Sequence, residues 1–204
     1  MTGNERRTVW VGQYEKYAEA QVALDTHSSQ QTNLFSVPEW LNRQGALRDR
    51  IDPLPTSIET AALPRPTNLP LLVAGGEVRS IVDFGGGSGW TYDTCTRLGM
   101  DLTDYLVLEI PEVVERFQPL LSGPLQFREF DEAQLESEAA VDVVYSNSAL
   151  QYARDNQALC DVISAVSPQW VLLDELLWAR TPADWFSMQV NSDVPIICRF
   201  LSLE

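Results

Sequence analysis

A glycine-rich turn is the segment of this sequence with the clearest capacity for chemistry. Asp83–Gly89 reads Asp-Phe-Gly-Gly-Gly-Ser-Gly, directly after a short apolar run and before a stretch of helical character. Glycines allow positive φ and let a ligand approach a backbone that carries no Cβ. N–H groups at the start of the next helix can receive a carboxylate or a phosphate. The turn predicts a ligand site, although a strand–helix connection without a ligand would use the same glycines.

Two common nucleotide-binding patterns do not fit this turn. The dinucleotide fingerprint G-x-G-x-x-G, counted from Gly85, needs glycine at position 90, where Trp90 stands. Counted from Gly86, its second glycine is replaced by Ser88. The phosphate loop G-x-x-x-x-G-K-[ST] fails because Lys16 is the only lysine. The spacing that remains is acid-x-Gly-x-Gly-x-Gly, formed by Asp83, Gly85, Gly87 and Gly89.

This spacing resembles motif I of the class I S-adenosylmethionine-dependent methyltransferases. Glu109 adds to the resemblance, because it lies at the end of a strand predicted at residues 105–110. That superfamily carries an acid at this place, which binds the ribose hydroxyls. A carboxylate can accept from two vicinal hydroxyls at once. Val141–Tyr152 resembles the fourth-strand motif that lines the methyl-transfer cleft. The resemblance implies S-adenosyl-L-methionine as cofactor and these cofactor-binding residues: Asp83, Gly85, Gly86, Gly87, Gly89, Glu109, Ile110, Asp131, Ser146 and Asn147.

A narrower resemblance spans most of the chain. The segments that carry it are Tyr14–Glu19, Asp83–Gly89, Leu108–Pro111, Leu125–Phe127, Ser148–Tyr152, Arg180–Pro182 and Gln189–Val190. In these segments the sequence is similar to a family of bacterial methyltransferases associated with surface-polysaccharide biosynthesis genes. The resemblance implies in-line methyl transfer to a small-molecule or sugar acceptor.

Three residues are candidates for catalysis. Tyr152 either borders the acceptor pocket or packs in the core. Asp174 and Glu175 end the fifth predicted strand, at the edge of the sheet where ligands bind, and either could orient a substrate amine or hydroxyl. Each is equally consistent with a helix cap or a surface acid. His27, the only histidine, lies in a polar stretch typical of a surface loop.

Several cofactor-site residues also have a structural interpretation. Glu109 fits an ordinary charged strand end, and Asp131 fits a solvated loop. Asn147 suits a helix N-cap. Trp90 and Tyr92 either cover the cofactor or anchor the following helix in the core.

Alternating strands and helices must position these residues. Runs rich in Val, Ile and Leu predict strands at residues 80–84, 105–110, 125–130, 141–146 and 170–174. Helical stretches separate them, which is the rhythm of βαβ units and implies a parallel sheet with right-handed crossovers. We expect an α/β fold with a doubly wound, largely parallel sheet of order 3-2-1-4-5, the Rossmann-like methyltransferase fold.

Two domains are expected. Residues 1–75 form an N-terminal helical lid and a proline-rich connector, and residues 76–204 form the S-adenosylmethionine-binding domain. Helical spacing predicts a first helix around Tyr14–Leu24, and Ser36 fits the N-cap of a second. Five prolines make a long helix in residues 53–70 unlikely.

The C-terminal edge of the fold is expected to be shortened. Methyltransferases of this fold usually add an antiparallel pair of strands after the fifth strand. Few residues follow Asp174, and Phe186–Val190 and Ile196–Leu201 are the segments that could form such a pair.

Charge narrows the choice of partners. The chain has 14 basic and 29 acidic residues, and residues 76–204 hold 21 of the acids. Such a surface repels phosphate backbones and anionic lipid, so neither nucleic acid nor a membrane is the expected partner. A small-molecule or sugar acceptor and a homo-oligomer are compatible with it. Excess acid also aids solubility by itself.

The cysteines predict a reduced protein without a metal site. Cys95, Cys160 and Cys198 lie far apart and lack metal-ligand spacing, so we expect three small core residues in a cytoplasmic protein. The longest apolar runs are too short to span a membrane.

Two other functions fit parts of the pattern. One is a non-catalytic methyltransferase-like protein that binds partners in an assembly, which the short C-terminus and the lack of an obvious base allow. The other is a nucleotide-cofactor oxidoreductase on the same fold, which the failed dinucleotide spacing disfavours.

Overall fold

The computed structural model describes residues 9–27, 34–49, 68–74, 78–120, 123–130, 140–190 and 194–203. The chain divides into two compact units. We call Pro38–Ala149 with Asp155–Glu175 the parallel-sheet unit, and Met1–Val37, Leu150–Arg154 and Leu176–Glu204 the mixed-sheet unit. The predicted domain boundary between residues 75 and 76 stays a prediction, and the connector expected at residues 53–70 lies almost wholly outside the described residues.

Helices and strands alternate through most of the described chain. In chain order they are β1 (Val9–Tyr14), α1 (Tyr17–His27), α2 (Pro38–Asp49), α3 (Leu69–Val73), β2 (Ser80–Phe84), α4 (Trp90–Arg97), β3 (Asp104–Glu109), α5 (Pro111–Phe117), β4 (Leu125–Glu129), β5 (Val143–Asn147), α6 (Gln157–Val166), β6 (Trp170–Asp174), β7 (Trp178–Ala179), β8 (Trp185–Val190) and β9 (Ile196–Ser202). The predicted start of the second helix is confirmed to within two residues.

The parallel-sheet unit contains one five-stranded sheet. Its order is β4-β3-β2-β5-β6, and all neighbouring strands are parallel. This confirms the predicted order 3-2-1-4-5, with strand bounds within two residues of those expected. Because the winding reverses between β2 and β5, the carboxyl ends of these two strands form a switch point where ligands can bind. Asp83 is in register with Val107 of β3 and Tyr145 of β5 at this edge.

The inner strands β2, β3 and β5 form where they do because both of their faces are buried. Parallel strands covered by helices read as continuous apolar runs rather than as alternating ones. In β3, the four residues Tyr105–Leu108 are buried. Helix α5 begins at Pro111 and places Phe117 against Phe127 of β4 with ring centroids 6.4 Å apart. A fully buried side chain of this size contributes roughly 1.5–3 kcal/mol to stability.

The mixed-sheet unit contains strands that the sequence did not fully reveal. Its order is β1-β8-β9-β7, antiparallel except for the β7–β9 pair. The helix predicted around Tyr14–Leu24 is confirmed as α1, which packs Tyr17 on Phe186 with ring centroids 5.7 Å apart. Strand β1 is a correction, since it lies in the segment expected to be helical. Its pairing partner β8 is at the other end of the chain, so local spacing could not predict it.

The C-terminal strands form the predicted antiparallel pair in a different sheet. β8 and β9 pair along Trp185–Gln189 and Ile196–Phe200, as the sequence suggested. They belong to the four-stranded mixed sheet and not to the edge of the parallel sheet, where this fold was expected to carry them. In the described residues, β6 is therefore the last strand of the parallel sheet.

The cysteines differ in environment. Cys95 on α4 and Cys198 on β9 are buried, and burial raises the pKa of both thiols to about 12. Cys160 on α6 is exposed, which corrects its expected core position. The reason is that α6 buries Leu159 and Val162 on its other face.

Two classes of feature are not found among the described residues. None of their helices combines the length and the apolar character that crossing a membrane requires. No group of three or more His, Cys, Asp or Glu side chains within these ranges is placed to hold a metal ion.

Candidate functional site

The glycine-rich turn joins β2 to α4 through left-handed backbone. Gly85, Gly87 and Gly89 have φ values of +72°, +60° and +75°, which side-chain-bearing residues rarely adopt. The Gly85 N–H donates to the Leu108 carbonyl oxygen of β3 at 2.9 Å, which extends the strand pairing into the turn. Gly89 is the N-cap of α4. The turn is thus fixed at both ends, and its glycines are required by conformation.

Neighbouring atoms crowd the same glycines. A Cβ added to Gly85 would collide with the Ala149 side chain, and one added to Gly86 would collide with the Asp83 carboxylate. The turn therefore lies directly on Asp83. Any larger residue at Gly85 must displace Ala149, and one at Gly86 must displace the Asp83 carboxylate.

Glu109 ends β3 and connects the two loops at this edge. Its Oε1 accepts from the Gly87 N–H at 2.9 Å, and its Oε2 accepts from the Ile110 N–H at 3.0 Å. Burial raises the pKa of Glu109, and these two backbone N–H bonds act in the opposite direction. Each carboxylate oxygen has a second lone pair, so Glu109 can still accept hydrogen bonds from a ligand. The predicted residue Ile110 takes part here through its backbone.

Asp83 is a fully buried acid beneath the turn. Its Oδ2 accepts from the Tyr105 hydroxyl at 2.7 Å, while Oδ1 has no hydrogen-bond partner among the described residues. Burial raises the pKa of Asp83 to about 7, the Tyr105 hydrogen bond lowers it, and the nearby Glu109 charge raises it further. The pKa of Tyr105 is raised well above its usual value by the same burial, so its hydroxyl remains a donor. A cationic group beside Oδ1 would stabilise the ionised carboxylate.

The end of β5 is tied to the end of β2. The Ser146 hydroxyl donates to the Phe84 carbonyl oxygen at 2.9 Å, and Asn147 Nδ2 donates to the Tyr145 hydroxyl at 3.0 Å. Both predicted residues therefore lie at the switch point. No described helix begins directly after Asn147, so the structure does not use it as the helix cap that the sequence allowed.

The residues that follow β5 and β6 face each other in strained backbone. Ser148 has φ +57° and Glu175 has φ +52°, although neither is glycine. The Ser148 hydroxyl donates to Glu175 Oε2 at 2.9 Å. Glu175 is exposed. Left-handed non-glycine residues cost of order 1–3 kcal/mol and cluster at functional sites.

Asp174 has a structural role. Its Oδ2 accepts from the Asn68 N–H and its Oδ1 from Asn68 Nδ2, both at 2.7 Å, and the Tyr145 hydroxyl approaches Oδ2 at 3.3 Å. Asn68 is the N-cap residue of α3, so the Asp174 carboxylate fixes the start of that helix on β6. As a catalytic residue it remains a prediction.

The sequence also singled out Tyr152, Asp131, His27, Trp90 and Tyr92. Tyr152 belongs to the mixed-sheet unit, where its ring meets Phe35 at 5.0 Å. Asp131 lies outside the described residues. His27 is exposed at the end of α1. Trp90 and Tyr92 are buried in α4, with Tyr92 packed edge-on against Tyr105, which favours their packing role.

Sequence reasoning missed the contribution of α2. The Ser88 hydroxyl donates to the Gln44 carbonyl oxygen at 2.9 Å, and the Gln44 Oε1 lies 2.8 Å from where a Cβ on Gly87 would stand. Arg48, one turn further along α2, is paired with Asp93 of α4. The only sequence signal was the apolar and polar spacing of a helix, which cannot identify a partner some 40 residues away.

The known proteins most relevant to this chain are structural neighbours. No family model matches the sequence, and no curated protein matches it. Among solved structures, the DhpI-SAM-HEP complex aligns over 85% of this chain and 84% of its own, with TM-score 0.46 and 19% identity. SAM-bound CalS10, an amino pentose methyltransferase from Micromonospora echinaspora, aligns over 90% of this chain and 84% of its own, with TM-score 0.42 and 10% identity.

Other neighbours are longer than this chain. It spans 57% of a chain in the complex containing the Haloferax volcanii Trm112 methyltransferase activator, with TM-score 0.39 and 18% identity over 70% of this chain. It spans 42% of an O-methyltransferase family protein from Burkholderia thailandensis, with TM-score 0.37 and 18% identity over 76% of this chain. These similarities concern the fold alone.

Proposed function

We propose that this chain is an S-adenosylmethionine-dependent methyltransferase acting on a small-molecule or sugar acceptor. The observation that carries the proposal is the arrangement at the switch point. A glycine turn lies on a buried acid, one oxygen of which has no partner in the part of the chain that the structure describes, and Glu109 is held against that turn by the Gly87 N–H. This arrangement combines an acceptor for a diol, a bare backbone surface and a carboxylate that favours a cation.

The groups at this site match the functional groups of the cofactor one by one. The free lone pairs of Glu109 suit the two ribose hydroxyls. Gly85 and Gly86 are half-buried and place no side chain between the backbone of the turn and a ligand. Asp83 is fully buried beneath the turn, so its ionised carboxylate would favour the ammonium group through its charge, and the ionised acids around the site favour the sulfonium charge. When bound, the cofactor supplies a methyl group on a positively charged sulfur; the protein holds the acceptor in line with it and excludes water.

For the acceptor, we favour the Ser148–Glu175 pair over the other candidates. Glu175 is exposed at the carboxyl end of β6, next to the switch-point strands, and Ser148 orients its carboxylate. Such a carboxylate can orient an acceptor hydroxyl or amine and hold its proton. The Asp174 carboxylate is already engaged with Asn68. A role in surface-polysaccharide biosynthesis is supported by the resemblance of the segments named above.

The cofactor is tested first by thermal unfolding with S-adenosylmethionine, S-adenosylhomocysteine and NAD added separately. A ligand at about 100 times its Kd stabilises by about 2.7 kcal/mol, which for this size raises Tm by roughly 5–10 °C. We expect this shift with the sulfur ligands and not with NAD, and its loss in Gly87→Val and Glu109→Ala.

The matched control is Glu112→Ala, which removes an exposed acid from the first turn of α5 and should leave the shift intact. A shift with NAD alone would support an oxidoreductase. No shift with either sulfur ligand would overturn the proposal. Cofactor binding without transfer to any acceptor in a sugar and small-molecule screen would favour the non-catalytic alternative.

A further inference from the structure

Helix α2 is fastened at two points, one on the glycine turn and one on α4. Arg48 pairs with Asp93 of α4, with Nη2 3.1 Å from Oδ1 as one of two contacts. The Ser88 hydroxyl of the turn donates to the Gln44 carbonyl oxygen at 2.9 Å. Residues four apart lie on the same helix face, so both contacts position the face that carries the Gln44 side chain.

The Gln44 side chain is buried over Gly87. Only 9% of the residue is exposed, and its Oε1 lies 2.8 Å from the position that a Cβ on Gly87 would occupy. The Gly87 N–H donates to Glu109. Gly87 is therefore bonded to the carboxylate of Glu109, and the carboxamide of Gln44 fills the space where a Cβ on Gly87 would stand. A ligand that Glu109 holds by its ribose would lie close to Gln44.

The chemistry of a carboxamide complements one particular part of such a ligand. Glutamine offers two N–H donors and a carbonyl acceptor, whereas Asp83 and Glu109 offer only acceptors when ionised. The α-amino-acid end of S-adenosylmethionine carries a carboxylate that needs donors and an ammonium that needs acceptors. Arg48, the charged donor on the same face of α2, bonds Asp93 through Nε and Nη2, while its buried Nη1 has no partner among the described residues. Of the two side chains, only Gln44 also offers an acceptor for the ammonium.

We propose that Gln44 binds the α-amino-acid end of the cofactor and that α2 is a wall of the cofactor site. This inference rests on the proposed function and adds to it a specific ligand for a residue outside the glycine motif. It predicts that Gln44 discriminates between S-adenosyl ligands and analogues that lack the amino-acid end.

Isothermal titration calorimetry with two ligands tests the inference. S-adenosylhomocysteine carries the amino-acid end, and 5′-methylthioadenosine has the same adenine, ribose and thioether without it. Gln44→Ala should weaken S-adenosylhomocysteine binding about 10-fold or more and change methylthioadenosine binding less than twofold. Gln44→Glu, of nearly the same shape, should weaken S-adenosylhomocysteine binding further, because its carboxylate faces that of the ligand. Asn42→Ala, at an exposed amide of the same helix, should change neither.

The outcomes distinguish a failure of this inference from a failure of the proposed function on which it rests. If wild-type protein binds neither ligand, the proposed function fails and the inference fails with it. If wild type binds S-adenosylhomocysteine and both Gln44 variants match it, only the inference is overturned. An equal loss for both ligands also overturns it, since that result indicates a purely structural role for α2. Should Gln44→Ala not fold, Gln44→Glu supplies the same comparison.

Discussion

Two loops at the carboxyl edge of the parallel sheet use left-handed backbone in opposite ways. After β2, positive φ is carried by Gly85, Gly87 and Gly89, and the acid beneath has an oxygen without a partner in the described chain. After β5 and β6, positive φ is carried by Ser148 and Glu175, whose side chains bond to each other.

The two loops correspond to two ways of contacting a ligand, one through the backbone and one through a side chain. A loop that a ligand must approach closely cannot carry Cβ atoms, so glycine removes both the strain and the obstruction. A loop that presents a functional side chain must keep that side chain, and it retains the strain. The glycine turn is therefore suited to hold the cofactor, and the Ser148–Glu175 pair is suited to contact an acceptor.

The largest expected effect concerns the acid under the glycine turn. The pKa of Asp83 is 3.8 in the unfolded chain and about 7 in the folded one, so the folded state binds the extra proton between these values. Stability should therefore fall as pH rises from about 4 to about 7, by up to about 4 kcal/mol. Asp83→Asn should remove this fall, measured by urea unfolding across that pH range.

Asp142 should show the opposite dependence of stability on pH. The pKa of Asp142 is lowered, against a desolvation effect, by hydrogen bonds from the Arg79 and Ser80 N–H groups and the Ser80 hydroxyl. The contribution of ionised Asp142 to stability is present at neutral pH and is lost as pH falls below about 4.

For Asp83, identical profiles of stability against pH in wild type and Asp83→Asn would contradict the assignment of the fall to that residue.

Alanine substitutions at Gly85 and Gly99 distinguish the cost of a steric collision from the cost of backbone strain. Gly85 and Gly99 share positive φ, but a Cβ on Gly99 meets no atom within 4 Å, whereas one on Gly85 collides with Ala149. Gly99→Ala should cost about 1–2 kcal/mol, the strain alone. Gly85→Ala should cost about 1–3 kcal/mol more because of overpacking. Equal losses in the free energy of unfolding would show that the turn tolerates side chains.

The smallest expected change in stability concerns Glu175, the acid with left-handed backbone after β6. Glu175→Gly relieves left-handed strain of about 1 kcal/mol or more and loses an exposed hydrogen bond of about 0.5–1 kcal/mol. We expect the free energy of unfolding to stay unchanged or to rise by about 0.5 kcal/mol, while cofactor affinity is retained. A clear destabilisation would mean that the Ser148–Glu175 pair serves the fold itself.

Local patterns predicted the features that depend on local chemistry. The five strands of the parallel sheet followed from apolar runs, and Asp83 and Glu109 were expected at strand ends because the motif and the strand share one segment. The contact of Gln44 with the turn, the Asn68–Asp174 bonds and strand β1 depend on partners far along the chain. No single segment carries the signal for such pairings.

The uneven burial of the three thiols has a practical consequence. Cys95 and Cys198 are shielded, and their high pKa values keep them protonated, whereas Cys160 lies open on α6. Thiolate is the reactive form, so a maleimide reagent at neutral pH should attach at one position of the native chain. The protein thus offers its own single attachment point for a fluorescent reporter, in the unit that contains the glycine turn, without any substitution.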